Sequence, residues 1–126
     1  NTMESKKILI IEDEESIRHA LSEVLKEDGF EVLEAENGKL GLESAIKNHP
    51  DLILLDILMP VIDGITMLKT LRADKWGIDA KIMLLTNVTD DKQIADAVLY
   101  GVYDYLTKSS WELTDVVKKI KEKLDT

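Results

Sequence analysis

Residues 51–56, Asp-Leu-Ile-Leu-Leu-Asp, contain the most apolar run of the chain, and this run ends in a carboxylate. Four consecutive large aliphatic residues are typical of a strand that is buried on both faces. We therefore place this strand at the centre of a parallel sheet. Asp56 then lies at the carboxyl end of that strand, where a carboxylate without a partner would be costly to bury.

The pattern of an apolar run followed by a polar residue occurs three more times. The runs are 7–11 before Glu12 and Asp13, 81–85 before Thr86, and 103–107 before Lys108. In an open parallel sheet, ligands bind beyond the carboxyl ends of the strands. Those ends would bring together three carboxylates, a hydroxyl and an ammonium group. Because three carboxylates repel one another unless a cation joins them, the sequence predicts a divalent metal and a negatively charged transferable group.

Helical patterns follow each strand-like run, including a fifth and less apolar run at 30–35 that we expect near an edge. The predicted helices lie on 17–25, with a stop at Gly29, then on 39–48, 65–71, about 90–100, and from Ser109 to 124. Ser109 and Glu112 have the spacing of a capping box, which predicts the start of the last helix there. Five alternating units predict an α/β, doubly wound parallel sheet with helices on both faces.

Composition is that of one acidic domain. The 126 residues carry a formal charge of −9, contain no cysteine and give a pI near 4.7. Such a charge disfavours direct binding to nucleic acid or to an anionic membrane. No run is long enough to span a bilayer and no signal-peptide pattern is present, so a cytoplasmic location is expected. We expect residues 1–4 to be a tail that begins with residues from an expression vector, and 5–124 to be the domain.

Four motifs, in this order and spacing, resemble the response-regulator receiver domain of two-component signalling. They are Lys-Ile-Leu-Ile-Ile-Glu-Asp-Glu at 7–14, Asp-Ile-Leu-Met-Pro-Val-Ile-Asp-Gly at 56–64, Leu-Leu-Thr at 84–86, and Gly-Val-Tyr-Asp-Tyr-Leu-Thr-Lys at 101–108. The resemblance covers roughly residues 5 to 124. It implies a flavodoxin-like sheet of five parallel strands in the order 2-1-3-4-5.

The resemblance also implies a metal-dependent phospho-acceptor. Asp56 would be the nucleophile that takes a phosphoryl group as an acyl phosphate. Glu12, Asp13 and Asp56, with the backbone carbonyl of Leu58, would hold Mg²⁺, which prefers oxygen ligands. The family usually has an aspartate where this chain has Glu12. Asp63, which precedes Gly64, is expected to be a turn or cap residue.

Thr86 and Lys108 would contact the phosphoryl group, and Tyr105 would change its conformation in response. Thr86 would donate its hydroxyl, and Lys108 would pair with Asp56 at rest and with the phosphoryl group afterwards. In the family, movement of this hydroxyl lets the aromatic side chain at Tyr105 turn inward. That change would reshape the surface formed by the fourth helix, fifth strand and fifth helix.

The implied partners are a sensor histidine kinase or phosphotransfer protein as donor and an output domain or target protein as receiver, with a phosphorylation-dependent homodimer also open. The chain would catalyse only its own phosphorylation and dephosphorylation, so we do not class it as an enzyme. The alternative is a degenerate receiver that acts only as an interaction module. A Mg²⁺-dependent phosphatase is disfavoured because Leu58 stands where such enzymes commonly carry a second acid. A flavodoxin-like cofactor binder is disfavoured because no phosphate loop follows the first strand.

Overall fold

The computed structural model describes residues 5–57, 59, 63–86, 91–108 and 112–125, which form five strands and five α-helices in alternation. The strands are β1 Lys7–Ile11, β2 Glu31–Ala35, β3 Leu52–Asp56, β4 Ile82–Thr86 and β5 Asp104–Thr107. The helices are α1 Glu15–Glu27, α2 Gly38–Asn48, α3 Gly64–Arg72, α4 Asp91–Val98 and α5 Leu113–Leu124. A 3₁₀ turn at Gly77–Asp79 precedes β4. No helix in these ranges has both the length and the apolarity that a membrane crossing requires.

The five strands form one parallel sheet in the order β2-β1-β3-β4-β5, which confirms the predicted fold class and strand order. Every residue of β3 is buried, as expected for the central strand. By contrast, β2 and β5 lie at the two edges, and each has one buried residue among partly buried and exposed ones. The carboxyl ends of β1, β3 and β4 therefore meet at one end of the sheet.

Alternate residues of the central strands supply two separate hydrophobic cores. Ile53 and Leu55 face the core beneath α2, α3 and α4, whereas Leu52 and Leu54 face the core beneath α1 and α5. Because side chains alternate along a strand, each strand supplies both layers. The helices thus cover both faces, which leaves the strand ends as the places where polar side chains can cluster.

The predicted start of α5 at Ser109 is wrong. The helix begins at Leu113, and Glu112 is its N-cap residue with an extended backbone and no side-chain cap hydrogen bond. The Glu112 carbonyl accepts the first helical bonds from the backbone N–H groups of Asp115 and Val116. The spacing of Ser109 and Glu112 predicted a capping box, but the first backbone hydrogen bonds of the helix are accepted by Glu112. Ser109 itself lies outside the described residues.

The predicted ends of α4 and β5 also shift. The helix stops at Val98 instead of residue 100, and Gly101 follows with a φ of +78°, a conformation that glycine adopts readily. The N–H of Val102 donates to the carbonyl of Ala97, which ties this residue to the end of the helix. The strand begins at Asp104, one residue after the start of the predicted run at 103–107.

Candidate functional site

Three carboxylates meet at the carboxyl end of the sheet. Asp56 is the last residue of β3, and Glu12 and Asp13 directly follow β1, whose Ile11 pairs with Leu55. One carboxylate oxygen from each of the three acids lies within 4.8 Å of the others. Glu12 and Asp56 are buried, whereas Asp13 is exposed. The structure thus brings together the three acids that the sequence singled out.

Lys108 bridges two of these carboxylates. Its Nζ lies 2.7 Å from Glu12 Oε1 and 3.2 Å from Asp56 Oδ2. The lysine follows β5, and its backbone N–H donates to the carbonyl of Thr86, which extends the pairing of β4 with β5. The expected pairing with Asp56 is therefore present, but Glu12 is the nearer partner. Glutamate has one methylene more than aspartate, which lengthens the reach of its carboxylate.

The electrostatics of the cluster depend on its burial. Burial and the neighbouring Glu12 carboxylate raise the pKa of Asp56 to about 8, although Lys108 opposes the shift. Burial would lower the pKa of Lys108, but its contacts with Glu12 and Asp56 raise it overall. Burial would raise the pKa of Asp13, yet hydrogen bonding with Glu12 and Asp56 lowers it. Lys108 thus stays charged, and without a cation the acidic cluster retains a proton near neutral pH.

Thr86 is the last residue of β4, which lies beside β3, and Tyr105 lies on the edge strand β5. Thr86 is buried, and its Oγ1 donates a long hydrogen bond of 3.4 Å to the carbonyl of Leu106. Tyr105 is 44% exposed as a whole residue, and its backbone carbonyl accepts a hydrogen bond from Lys119 Nζ at 3.0 Å. The end of β4 is therefore linked to β5 through a side-chain contact as well as through the backbone.

Two residues near the acids were not identified from the sequence pattern. The backbone N–H of Glu14 donates to Glu12 Oε2 at 3.1 Å, and the Glu14 carboxylate lies 3.9 Å from Lys108 Nζ. Arg18 Nη1 donates to the backbone carbonyl of Glu12 at 2.8 Å. Glu14 is also the N-cap residue of α1, although its side chain makes no cap hydrogen bond. No local pattern indicated that Arg18 would contact the acidic segment.

Gly64 lets α3 approach the backbone at the carboxyl end of β3. A Cβ atom at this position would lie 2.6 Å from the Cα of Ile57 and 2.7 Å from the carbonyl oxygen of Asp56. The N–H of Gly64 donates to the Ile57 carbonyl at 2.7 Å. Asp63 is the N-cap residue of α3 and accepts from the N–H of Thr66, as expected of a cap. The first turn of α3 thus supports the backbone that carries Asp56.

We expect Gly64→Ala to lower the free energy of unfolding by about 2 kcal/mol, because both close contacts are to backbone atoms that cannot rotate away. Urea unfolding of the purified variant measures this loss. Thr66→Ala, an exposed change in the same helix, is the control and should stay within about 0.5 kcal/mol of wild type. Equal stability of the two variants would show that α3 can move away from Asp56 at little cost.

Some predicted positions cannot be placed. Leu58, whose backbone carbonyl was expected to bind the metal, lies outside the described residues, as does Ser109, which follows Lys108.

The carboxylates that are described fit a hard divalent cation. All three donors are oxygens, they lie within reach of one another, and one of them is exposed. Oxygen-rich sites that leave room for water are those that Mg²⁺ occupies.

Known proteins resemble this chain both in sequence and in fold. The sequence pattern of the response regulator receiver domain matches residues 8–121. The chemotaxis protein CheY of Bacillus subtilis is 35% identical over 103 residues, which cover 81% of this chain and 84% of that protein. The crystal structure of a putative response regulator from Chloroflexus aurantiacus superposes with a TM-score of 0.88 and 31% identity, covering 98% of this chain and 100% of the other.

Longer regulators match over one part of their length. The alkaline phosphatase synthesis transcriptional regulatory protein PhoP of B. subtilis is 38% identical over 104 residues, which are 82% of this chain and 42% of that protein. The chain spans about half the length of the first curated relatives it matches. The match over residues 8–121, the five parallel strands and the strand order agree with one another. This chain belongs to the response-regulator receiver family of two-component signalling proteins.

Proposed function

We propose that this receiver accepts a phosphoryl group on Asp56 from a phosphohistidine of a sensor kinase or phosphotransfer protein. One observation carries the proposal. The Asp56 carboxylate is buried at the end of the central strand, within 4.8 Å of two further acids and 3.2 Å from an ammonium group. A carboxylate with a purely structural role would gain little net stability from this cluster, because removing several charged groups from water is costly.

The reaction is a transfer between two nucleophiles. A carboxylate oxygen of Asp56 forms a bond to phosphorus while the bond from phosphorus to the donor imidazole nitrogen breaks, and the released imidazole keeps the electron pair. Glu12, Asp13 and Asp56 would hold Mg²⁺, with the Leu58 carbonyl as a further proposed ligand. When bound, the cation would neutralise charge on the transferring phosphoryl oxygens. Transfer of this kind depends mainly on positioning and on electrostatic stabilisation.

Lys108 and Thr86 would then stabilise the product. The ammonium group now placed between Glu12 and Asp56 would turn to a phosphoryl oxygen, leaving Glu12 to the cation. The Thr86 hydroxyl, which makes only a 3.4 Å bond to Leu106, would lose little by turning to the phosphoryl group instead. Both residues are on or next to the strands that flank Asp56 on the β4 side of the sheet.

The output of the switch would be the surface formed by α4, β5 and α5. Several large side chains of α4, β5 and the connection between them are exposed, namely Val98, Leu99, Tyr103 and Tyr105. A turn of Tyr105 toward the space left by Thr86 would shift the population between two packings of this surface. The surface would receive an output domain, a target protein or a second copy of the chain.

The proposal is tested by intact-mass measurement after incubation with Mg²⁺ and acetyl phosphate. We expect a single phosphoryl adduct that is labile to base, requires Mg²⁺ and is absent from Asp56→Asn. Asp63→Asn is the matched control, since asparagine caps a helix as well as aspartate does and the adduct should be retained. An Asp56→Asn protein that still forms the adduct would place the acceptor elsewhere. No adduct with acetyl phosphate or with a supplied kinase would favour the interaction-only alternative.

A further inference from the structure

Arg18 contacts the acidic segment from the first helix. The arginine lies in α1, six residues beyond Glu12, and its side chain is 11% exposed. Its Nη1 donates to the backbone carbonyl of Glu12 at 2.8 Å, and its Nε donates to Glu34 Oε1 at 3.1 Å. The guanidinium group therefore joins the β1–α1 connection to the edge strand β2.

The bonded carbonyl belongs to the peptide that joins Glu12 to Asp13. Because a peptide group is planar, holding this carbonyl also holds the Asp13 N–H and the directions in which both residues leave the plane. The preceding peptide is held as well, since the Glu12 N–H donates to the Ala35 carbonyl at 3.1 Å. The backbone of Glu12 is thus fixed on both sides. A buried carbonyl at this point also needs a donor.

Glu34 fixes the direction from which Arg18 reaches the loop. This residue lies in β2, where it pairs in register with Ile10 of β1. A guanidinium group presents its donors in a rigid planar fork, so a bond from Nε to Glu34 restricts where Nη1 can point. The ammonium group of a lysine at this position has no such fixed direction.

We infer that Arg18 is a positioning residue for the metal ligands Glu12 and Asp13. The inference rests on the proposed function, since it assigns a role toward the Mg²⁺ that these acids would hold. Arg18 acts through the peptide between the two acids and touches neither the phosphoryl group nor Asp56. Residues that orient ligands in this way typically change metal affinity about 10- to 100-fold when they are replaced.

The chain offers a matched control, because Arg18 and Arg72 are its two arginines. Arg72 also donates to backbone carbonyls, those of Gly77 and Ala80 through Nη1 and that of Tyr100 through Nε. Those acceptors lie in the connections that precede β4 and β5, at the opposite end of the strands from Asp56. Loss of either arginine therefore removes a backbone anchor, but only the loss of Arg18 should disturb the acids.

The experiment measures the Mg²⁺ dissociation constant of the folded proteins by calorimetry and their free energy of unfolding in urea. We expect Arg18→Gln to raise the dissociation constant about tenfold. We expect Arg72→Gln to change it less than about twofold while it loses comparable stability. Arg18→Lys, which keeps the charge without the fork, should fall between wild type and Arg18→Gln. It also provides the test if Arg18→Gln does not fold.

Three results would overturn the inference. The first is an unchanged Mg²⁺ affinity in Arg18→Gln. The second is an equal loss of Mg²⁺ affinity in Arg72→Gln, which would point to a general loosening of the fold. The third is wild-type Mg²⁺ affinity in Arg18→Lys, which would assign the effect to charge alone. Failure of the wild-type protein to bind Mg²⁺ would instead contradict the proposed metal role, and this inference with it.

Discussion

Replacing Lys108 with methionine is expected to lower the free energy of unfolding of the metal-free protein by about 3 kcal/mol. The ammonium group lies 2.7 Å from Glu12 and 3.2 Å from Asp56, and both carboxylates are buried. Removing it leaves negative charge in a desolvated site without its cationic partner. These contacts raise the pKa of Lys108, so the ammonium group stays charged throughout the neutral range.

Urea unfolding in the presence of a chelator measures this loss. Lys118→Met, on an exposed position of α5, is the control and should stay within about 0.5 kcal/mol of wild type. Added Mg²⁺ should return part of the stability of Lys108→Met, because the cation replaces the missing positive charge. The same variant should phosphorylate far more slowly with acetyl phosphate. A loss of stability no larger than that of Lys118→Met would mean that the ion pairs contribute nothing net.

Replacing Asp56 with asparagine is expected to have the opposite effect and to stabilise the metal-free protein by about 2 kcal/mol at pH 8.5. Asparagine has nearly the same shape but removes one of the three clustered negative charges. Lys108 keeps its nearer partner, Glu12, in this variant. The residue proposed to accept the phosphoryl group would then be one that weakens the unliganded fold, as is common where sites are built from like charges.

The stability that Asp56→Asn gains over wild type should depend on pH, because proton binding to Asp56 is linked to folding. The pKa of Asp56 is raised from 3.8 to about 8 in the folded protein, so the folded state retains a proton that the unfolded chain releases. The resulting penalty to wild type is absent below pH about 4, grows as the pH rises and is complete above pH about 8. The advantage of Asp56→Asn should therefore be larger at pH 8.5 than at pH 6.

Unfolding measured at both pH values, with a chelator present, tests this dependence. Glu31→Gln, which removes an exposed carboxylate from the edge strand β2, should show no comparable gain at either pH. Saturating Mg²⁺ should reduce the difference in free energy of unfolding between wild type and Asp56→Asn, because the ion binds the intact cluster more tightly. A stability difference that does not vary with pH would show that Asp56 is already ionised in the folded protein at pH 6.

The residues of the candidate site could be predicted from the sequence because parallel sheets place strand ends together. Glu12, Asp13, Asp56, Thr86 and Lys108 each come directly after or at the end of an apolar run, so their gathering follows from the fold class. Their proposed chemical roles came from the family resemblance. Helix boundaries were less accessible: the Ser109–Glu112 spacing is compatible with a cap, but α5 starts at Leu113.

By itself, the sequence determined the alternation of strands and helices, the central position of β3 and the set of acids at the strand ends. These properties depend on local hydrophobic patterns, which the chain carries in its order of residues. Tertiary structure decided that Lys108 lies nearer to Glu12 than to Asp56, that Arg18 bonds the peptide between Glu12 and Asp13, and that Gly64 packs on the backbone of Asp56. Such contacts join residues distant in sequence, and their distances depend on how the elements pack, which no local pattern encodes.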